Sequence, residues 1–128
     1  MIITVTTNPS IDRTIAVSDL VLGGVNRGDL NAIDPGGKGV NVSRALSAYG
    51  AKTHALLICG DLGRQWFGKK LDALQIPHHV INAEGITRSN ITLQEADGTV
   101  TKINEPGFKL TSAVLNELRA TIDGLNLK

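Results

Sequence analysis

The stretch that decides the fold is Pro35-Gly36-Gly37-Lys38-Gly39-Val40-Asn41. Three glycines in four positions remove Cβ atoms and let a ligand approach the backbone amides closely. A helix predicted to begin near Asn41 would point its unpaired N–H groups and partial positive charge at the same place. Gly36, Gly37, Lys38 and Asn41 are therefore candidate residues for binding hydroxyl and phosphate oxygens. The alternative is a glycine turn needed only for chain reversal and close helix packing.

Two nucleotide-binding motifs that contain such a turn do not fit the sequence. A dinucleotide fingerprint would need glycine at position 42, where the chain has Val42. A Walker-type P-loop would need Ser or Thr after Lys38, where the chain has Gly39. A nucleotide-binding α/β domain is therefore disfavoured.

The segments around the turn predict an α/β fold with a doubly wound parallel sheet. Buried strands are predicted over 2–7, 53–59 and 77–81, with helices after the glycine turn and over 62–74. The β-α-β-α-β order favours parallel strands with right-handed crossovers. The predicted buried stripes are Val42, Ala45, Leu46 and Tyr49 in the first helix, closed by Gly50, and Phe67, Leu71 and Leu74 in the second.

The rest of the chain predicts a β lid and a third helix. The runs 89–95 and 99–104 flank Ala96-Asp97-Gly98, which is a strong hairpin signal. Apolar and polar residues alternate in the first arm, so we expect the hairpin to project as a flap with the strand 11–17 and a short strand 31–33. Thr111-Ser112 caps a helix with the stripe Leu115, Leu118 and Ile122. Residues 125–128 stand where a further strand is expected.

Charged residues at the strand ends complete the candidate site. Asp12 follows the first strand, at the sheet edge where open α/β proteins bind ligands, and its carboxylate could accept bonds from two sugar hydroxyls. Arg88, in the run Thr87-Arg88-Ser89-Asn90 that enters the hairpin, could clamp a phosphate in bidentate fashion. Arg27 and Lys102 are weaker candidates of the same kind. An ordinary turn aspartate and solvated strand-end cations are the alternatives.

Composition excludes several other classes of function. The 128 residues fit one domain, and a formal charge of +1 gives no reason to expect nucleic acid or an anionic membrane as a partner. No apolar stretch approaches the roughly 18 residues that span a bilayer. Cys59 is the only cysteine and closes an apolar run, so we expect a buried thiol and a cytoplasmic location. His54, His78 and His79 show no metal-ligand spacing, so no metal site is predicted.

Four ordered motifs resemble a known family. The run 35–46 is similar to the first signature of the ribokinase-like (PfkB) carbohydrate kinases. Three further motifs narrow the resemblance to the branch of 1-phosphofructokinases and tagatose-6-phosphate kinases: Asn8-Pro9-Ser10-Ile11-Asp12, Thr87-Arg88-Ser89-Asn90 and Asn104-Glu105-Pro106-Gly107. The resemblance runs over the whole chain, 1–128, and implies the N-terminal part of a ribokinase-like fold with lid segments at about 11–34 and 87–105.

The resemblance also implies a reaction and roles for residues. It implies phosphoryl transfer from Mg-ATP to a ketohexose phosphate, with fructose 1-phosphate converted to fructose 1,6-bisphosphate as the favoured case. The aspartate matching Asp12, the glycine turn and the asparagine matching Asn41 would hold the sugar, while the arginine matching Arg88 approaches its phosphate. Asn90 and Arg27 are assigned to the same substrate site. The lid would close over the sugar, exclude water and pair two subunits as a homodimer.

One departure from the family is large. Its members are about twice this length or more, and their later half carries a Gly-Ala-Gly-Asp motif that supplies the anion hole and the catalytic base. We expect the base and most of the nucleotide site to lie beyond Lys128, so no catalytic residue is assigned here. The chain is then expected to be a fragment or a truncated product that is inactive alone. A free-standing, non-catalytic sugar-phosphate binding module is the alternative.

Overall fold

A computed structural model of the chain describes residues 1–125, so the predicted strand over 125–128 lies largely outside the described part. The described elements are, in order, β1 (Ile2–Thr6), β2 (Ser10–Val17), β3 (Asp29–Gly36), α1 (Lys38–Ala48), β4 (Thr53–Asp61), α2 (Gly63–Ala73), β5 (His78–Ile86), β6 (Arg88–Glu95), β7 (Val100–Asn104) and α3 (Ser112–Gly124). None of the helices among residues 1–125 is long and apolar enough to cross a membrane.

The first sheet is parallel and has the strand order β1-β4-β5. Its central strand β4 is buried on both sides, because successive side chains of a strand point to opposite faces. Leu57 and Cys59 pack with Phe67 of α2 on one face, while Leu56 and Ile58 pack with Leu118 of α3 on the other. Helices therefore cover both faces, which confirms the predicted α/β fold.

The second sheet has the strand order β3-β2-β6-β7 and projects from the first. The predicted hairpin is confirmed, since β6 and β7 pair in antiparallel fashion around the turn at 96–98. Strand β2 pairs with β6 in parallel fashion, although five elements separate them along the chain. Strand β3 is longer than predicted because it pairs with nearly the whole of β2, across a bulge between Thr14 and Ile15.

The predicted stripe of the first helix is wrong. Helix α1 begins at Lys38, three residues earlier than expected, and buries Val40 and Ser43 instead. Val42 is 49% exposed and Tyr49 is 91% exposed. Hydrophobic periodicity could not predict this face, because a polar residue, Ser43, occupies its centre. The Ser43 hydroxyl is hydrogen-bonded to the Thr4 hydroxyl at 2.6 Å and to the Thr53 hydroxyl at 2.8 Å.

The other two stripes are confirmed in part. Phe67 and Leu71 of α2 are fully buried, but Leu74 stands past the end of the helix and is 44% exposed. In α3 Leu118 is buried and Ile122 packs on the same cluster, whereas Leu115 is exposed and Val114 takes its place. The predicted cap is present, since the Thr111 hydroxyl accepts a bond from the Val114 N–H.

Gly50 ends α1 as predicted. Its φ of 73° lies in the left-handed region, where glycine carries no Cβ penalty. The Gly50 N–H donates to the Ser47 carbonyl, and the Ala51 N–H donates to the Leu46 carbonyl. This pair of bonds is a Schellman motif, which satisfies carbonyls that the helix end would leave unpaired.

Cys59 is a core residue, as predicted. The thiol is fully buried and unpaired with any other cysteine in the described chain. Burial raises the pKa of the thiol to about 12, so the reactive thiolate is disfavoured near neutral pH.

His54 makes folding sensitive to pH. Burial, followed by the nearby His78 and His79, lowers the pKa of His54 below its ordinary value of 6.5, and its Nε2 is buried without a partner. Below that value the unfolded chain takes up the proton more readily than the folded chain, so stability falls as the pH falls. We expect the melting temperature to drop between about pH 7.5 and about pH 5.5, and to drop less in His54→Gln. Thermal unfolding followed by circular dichroism checks this, and equal drops in both chains would contradict it.

Candidate functional site

Asp12 is held in a fixed position on one face of the second sheet. The parallel register pairs Ser10 with Arg88 and Asp12 with Asn90, so these four side chains share that face. The Ser10 hydroxyl donates to Oδ1 of Asp12 at 2.6 Å, and the Asn90 amide donates to the same oxygen at 3.3 Å. The other carboxylate oxygen, Oδ2, has no such bond, so it remains available to accept bonds from a ligand.

At each glycine of the turn, close packing leaves no room for a side chain. A Cβ on Gly36 would overlap the carboxylate of Asp12, and a Cβ on Gly37 would lie 2.6 Å from the methyl group of Thr6. A Cβ on Gly39 would lie 2.5 Å from the hydroxyl of Thr6. Gly37 also has a φ of 116°, which a side chain would strain. Close packing of β2, α1 and the end of β1 therefore accounts for the glycines, and the glycine pattern alone does not demonstrate a ligand.

A cavity of about 330 Å³ lies between the end of β1, the start of α1 and the start of β6. Lys38 and Arg88 line it from opposite elements, and no carboxylate lines it. Helix α1 has Gly37 at its N-cap without a side-chain cap, so its first N–H groups have no partner within the helix. Two cations and a helix N-terminus make this cavity suitable for an anion.

Unpaired buried atoms concentrate around the same place. Within residues 1–125, five buried side-chain N or O atoms have no hydrogen-bond partner. Three of them belong to residues that line the cavity, a fourth belongs to Asn90 beside Asp12, and the fifth is His54 Nε2. The four are Thr6 Oγ1, Asn8 Oδ1, Arg88 Nε and Asn90 Oδ1. Since each unpaired buried polar group costs about 1–3 kcal/mol, we expect bound water or a polar ligand to satisfy this cluster.

Sequence reasoning missed Thr6 and Asn8 as site residues. Asn8 donates from its amide to the Pro106 carbonyl at 3.0 Å and so joins the end of β1 to the loop after β7. In the same loop Glu105 accepts a 2.7 Å bond from the Ser89 N–H and continues the pairing of β6 and β7. The motif Asn8-Pro9-Ser10 was visible, but only the three-dimensional contacts reveal what its first residue does.

Of the predicted site residues, only Lys38 and Arg88 line the cavity. Asp12 and Asn90 lie on the adjoining face of the second sheet, and Gly36 and Gly37 immediately precede Lys38. Three further predicted residues lie elsewhere. Asn41 lies one turn into α1 and faces a separate groove between α1 and the end of α2. Lys102 is exposed and stands opposite Thr92 on the edge strand β7. Arg27 lies in the exposed loop between β2 and β3, at the end of the sheet remote from Asp12. The four steps along the strand from Asp12 to Ala16 alone span about 13 Å, so Arg27 cannot contact Asp12 in the same subunit.

A larger groove of about 950 Å³ runs between α2 and β5. Its walls include Trp66, His78 and Asn82, but none of the predicted site residues. We therefore place the candidate site in the smaller cavity, where the charges and the unpaired atoms converge.

Sequence comparison finds 1-phosphofructokinases among the relatives of this chain. The protein from Vibrio cholerae serotype O1 is 33% identical over 124 residues, which are 97% of this chain and 39% of that protein. The protein from Xanthomonas campestris pv. campestris is 39% identical over 114 residues, which are 88% of this chain and 36% of that protein. The chain thus spans less than two fifths of the length of these curated relatives. No family model matches it.

Structural comparison finds phosphofructokinase-2 from Escherichia coli. Its complex with fructose-6-phosphate superposes with a TM-score of 0.89 at 25% identity, covering 97% of this chain and 41% of that one. The tetrameric inhibited form of the same enzyme gives a TM-score of 0.86 at 25% identity, covering 94% and 40%.

The fold and these relatives define the class of protein that this chain resembles: over nearly its whole length it matches the N-terminal part of ribokinase-like (PfkB) phosphofructokinases. Within that family its curated relatives are 1-phosphofructokinases, which confirms the branch that the sequence motifs indicate.

Proposed function

We propose that this chain carries the sugar-phosphate half of an ATP-dependent kinase that converts fructose 1-phosphate to fructose 1,6-bisphosphate. The observation that supports the proposal most directly is the carboxylate of Asp12, fixed by Ser10 and Asn90 beside a cavity that holds Lys38 and Arg88. In this proposal Asp12 and Asn90 bind sugar hydroxyls, and the two cations bind a phosphoryl group. Gly36 and Gly37 let the sugar approach. Asn41, which was predicted to bind the sugar, faces a separate groove and is given no part in this site. The free Cys59 is consistent with the reducing cytoplasm.

The phosphoryl donor has no assigned residues in the described chain. Residues 1–125 contain no group of three His, Cys, Asp or Glu side chains that could hold a metal ion. We therefore assign no residue of this chain to Mg-ATP and derive no step through it. What this half contributes is binding and orientation of the acceptor sugar, which supply much of the rate enhancement in phosphoryl transfer.

The second sheet, with lid segments at about 11–34 and 87–105, is the proposed lid and the proposed homodimer contact. The face opposite Asp12 carries Ile15, Ile91 and Leu93, with Ile103 52% exposed beside them. In the loop between β2 and β3, Leu22 is 90% exposed and Arg27 follows five residues later. Pairing two such faces would cover apolar surface, and Arg27 would then reach a site only in the other subunit. The E. coli relative supplies a precedent for assembly, since one of its forms is tetrameric.

Calorimetry on the 128-residue chain tests the proposal. We expect fructose 1-phosphate to bind more tightly than fructose, because the cations have no phosphate to bind in the free sugar. A coupled assay with ATP should show no turnover. Equal affinity for fructose and fructose 1-phosphate would contradict the phosphate role of Lys38 and Arg88, and measurable turnover would contradict the assignment of the catalytic groups to another part of the enzyme.

A non-catalytic sugar-phosphate binding module is the second candidate. It is favoured by one observation: the hydroxyl-binding and phosphate-binding groups lie together on this chain, whereas no catalytic base is assigned to it. Sub-millimolar affinity for fructose 1-phosphate without turnover would favour this reading. Affinity weaker than this, but still above the affinity for fructose, would instead favour a half site that needs the rest of a kinase.

A further inference from the structure

Two buried threonines on β1 differ in a way that packing does not explain. Thr4 is 7% exposed and Thr6 is 5% exposed, and both belong to the same strand face. The Thr4 hydroxyl is satisfied by Ser43, which in turn reaches Thr53. The Thr6 hydroxyl has no partner at all. A valine would fill the same volume at position 6 without leaving a polar atom unpaired, so the hydroxyl calls for another explanation.

The unpaired hydroxyl lies beneath the first turn of α1. The methyl group of Thr6 faces Gly37, and its hydroxyl faces Gly39, 2.5 Å from the place that a Cβ would occupy. Thr6 and Gly39 both line the cavity of about 330 Å³ that Lys38 and Arg88 enter. Any side chain at position 39 would therefore displace the hydroxyl, and glycine leaves this buried group in place at the wall of the cavity.

The chemistry of the cavity favours a phosphoryl group. Lys38 and Arg88 bring two positive charges, and Nε of Arg88 is buried without a partner. The first N–H groups of α1 have no partner within the helix, and its first turn holds no acidic residue that could serve them. A hydroxyl among these donors can rotate its proton toward an anionic oxygen and make a charge-assisted hydrogen bond.

We propose that Thr6 is a further ligand-binding residue, whose hydroxyl donates a hydrogen bond to a phosphoryl oxygen held between Lys38, Arg88 and the N-terminus of α1. The inference rests on the proposed function, because it concerns the same substrate site. It also divides the site into two parts. Thr6 belongs to the part that binds the phosphoryl group, whereas Asp12 and Asn90 belong to the part that binds the sugar hydroxyls.

The two threonines provide a matched pair of variants. Thr6→Val keeps the shape of the side chain and removes the hydroxyl, so affinity for fructose 1-phosphate and for inorganic phosphate should fall about tenfold or more. Its melting temperature should stay the same or rise, because an unpaired buried hydroxyl is replaced by a methyl group. Thr4→Val should behave in the opposite way, with a lower melting temperature and unchanged affinities. Thr6→Ser, which retains the hydroxyl, should restore most of the affinity.

Titration calorimetry with fructose 1-phosphate, inorganic phosphate and fructose separates the outcomes. A loss in Thr6→Val for both phosphate-bearing probes, with the affinity for fructose unchanged, supports the inference. Binding of fructose 1-phosphate by Thr6→Val as tightly as by the unmodified chain overturns it, while the proposed function stands. An equal loss of affinity in Thr4→Val also overturns it, because the effect would then be structural. If the unmodified chain binds neither phosphate-bearing probe, the inference and the phosphate side of the proposed function fall together.

Discussion

Replacing Phe67 with alanine is expected to lower the free energy of unfolding by about 3–5 kcal/mol, the usual cost of emptying a core position of this size. Phe67 is fully buried, and its ring meets the ring of Trp66 edge-on at a centroid distance of 5.1 Å. It belongs to the cluster that joins α2 to β4, and Ile11, the neighbour of Asp12 on β2, packs against the same cluster. The change should therefore loosen the contact between the two sheets as well as the core.

Chemical denaturation followed by fluorescence of Trp66 measures this effect. Tyr49→Ala is the control, because Tyr49 is 91% exposed and its removal should change stability by less than about 0.5 kcal/mol. If Phe67→Ala does not fold, Phe67→Leu should still fold and should lose about 1–2 kcal/mol. A loss below about 1 kcal/mol in Phe67→Ala would mean that the cluster around it is not the core.

Replacing Asp12 with alanine is expected to weaken binding of fructose 1-phosphate about 100-fold, or roughly 3 kcal/mol. Asp12 is the acceptor in the candidate site, and Ser10 and Asn90 fix its orientation before any ligand arrives. Hydrogen bonds from sugar hydroxyls to a carboxylate are charge-assisted, and an orientation fixed in advance avoids an entropic cost on binding.

Asp34→Ala is the matched control for that experiment. Asp34 stands directly opposite Asp12 on β3, yet it is half exposed and lies 3.7 Å from the guanidinium of Arg44. Its removal should change the affinity less than about threefold, since an exposed pair contributes about 0–1 kcal/mol and Asp34 is given no ligand role. Calorimetry on both variants, with circular dichroism to verify folding, decides the matter. Equal losses of affinity in the two variants would show that binding depends on the overall negative charge, and not on a hydrogen bond to Asp12.

Much of the fold could be predicted because local patterns and tertiary packing agree in it. Three patterns each predict a single kind of structure, and all three structures are present. They are the β-branched run of β1, the apolar run of β4 and the hairpin turn at Asp97-Gly98. The buried face of α1 could not be predicted, because Ser43 is buried through hydrogen bonds to residues on two different strands. Hydrophobic periodicity cannot report a polar contact between distant segments.

The residues of the candidate site could likewise be predicted only in part. Asp12, Gly36, Lys38, Arg88 and Asn90 could be named from motifs, and the structure brings them to one end of the molecule. Thr6 could not be found, because a threonine in a strand looks like an ordinary β-former until its hydroxyl proves to be unpaired. The remote position of Arg27 also depends on the length of the β2–β3 hairpin, which the short predicted strand at 31–33 underestimated.

The parallel pairing of β2 with β6 also determines when the candidate site can form while the chain is being synthesised on the ribosome. Asp12 and Asn90 are 78 positions apart, and the partner that aligns the carboxylate is made only after the whole first sheet. At about 5–20 residues per second, that delay is about 4–16 s, during which β2 and β3 form at most an isolated hairpin. The oriented carboxylate is therefore assembled late. A nascent chain released before Arg88 would have all three strands of the first sheet, but would lack the Asn90 bond to Asp12 and one of the two cations of the cavity.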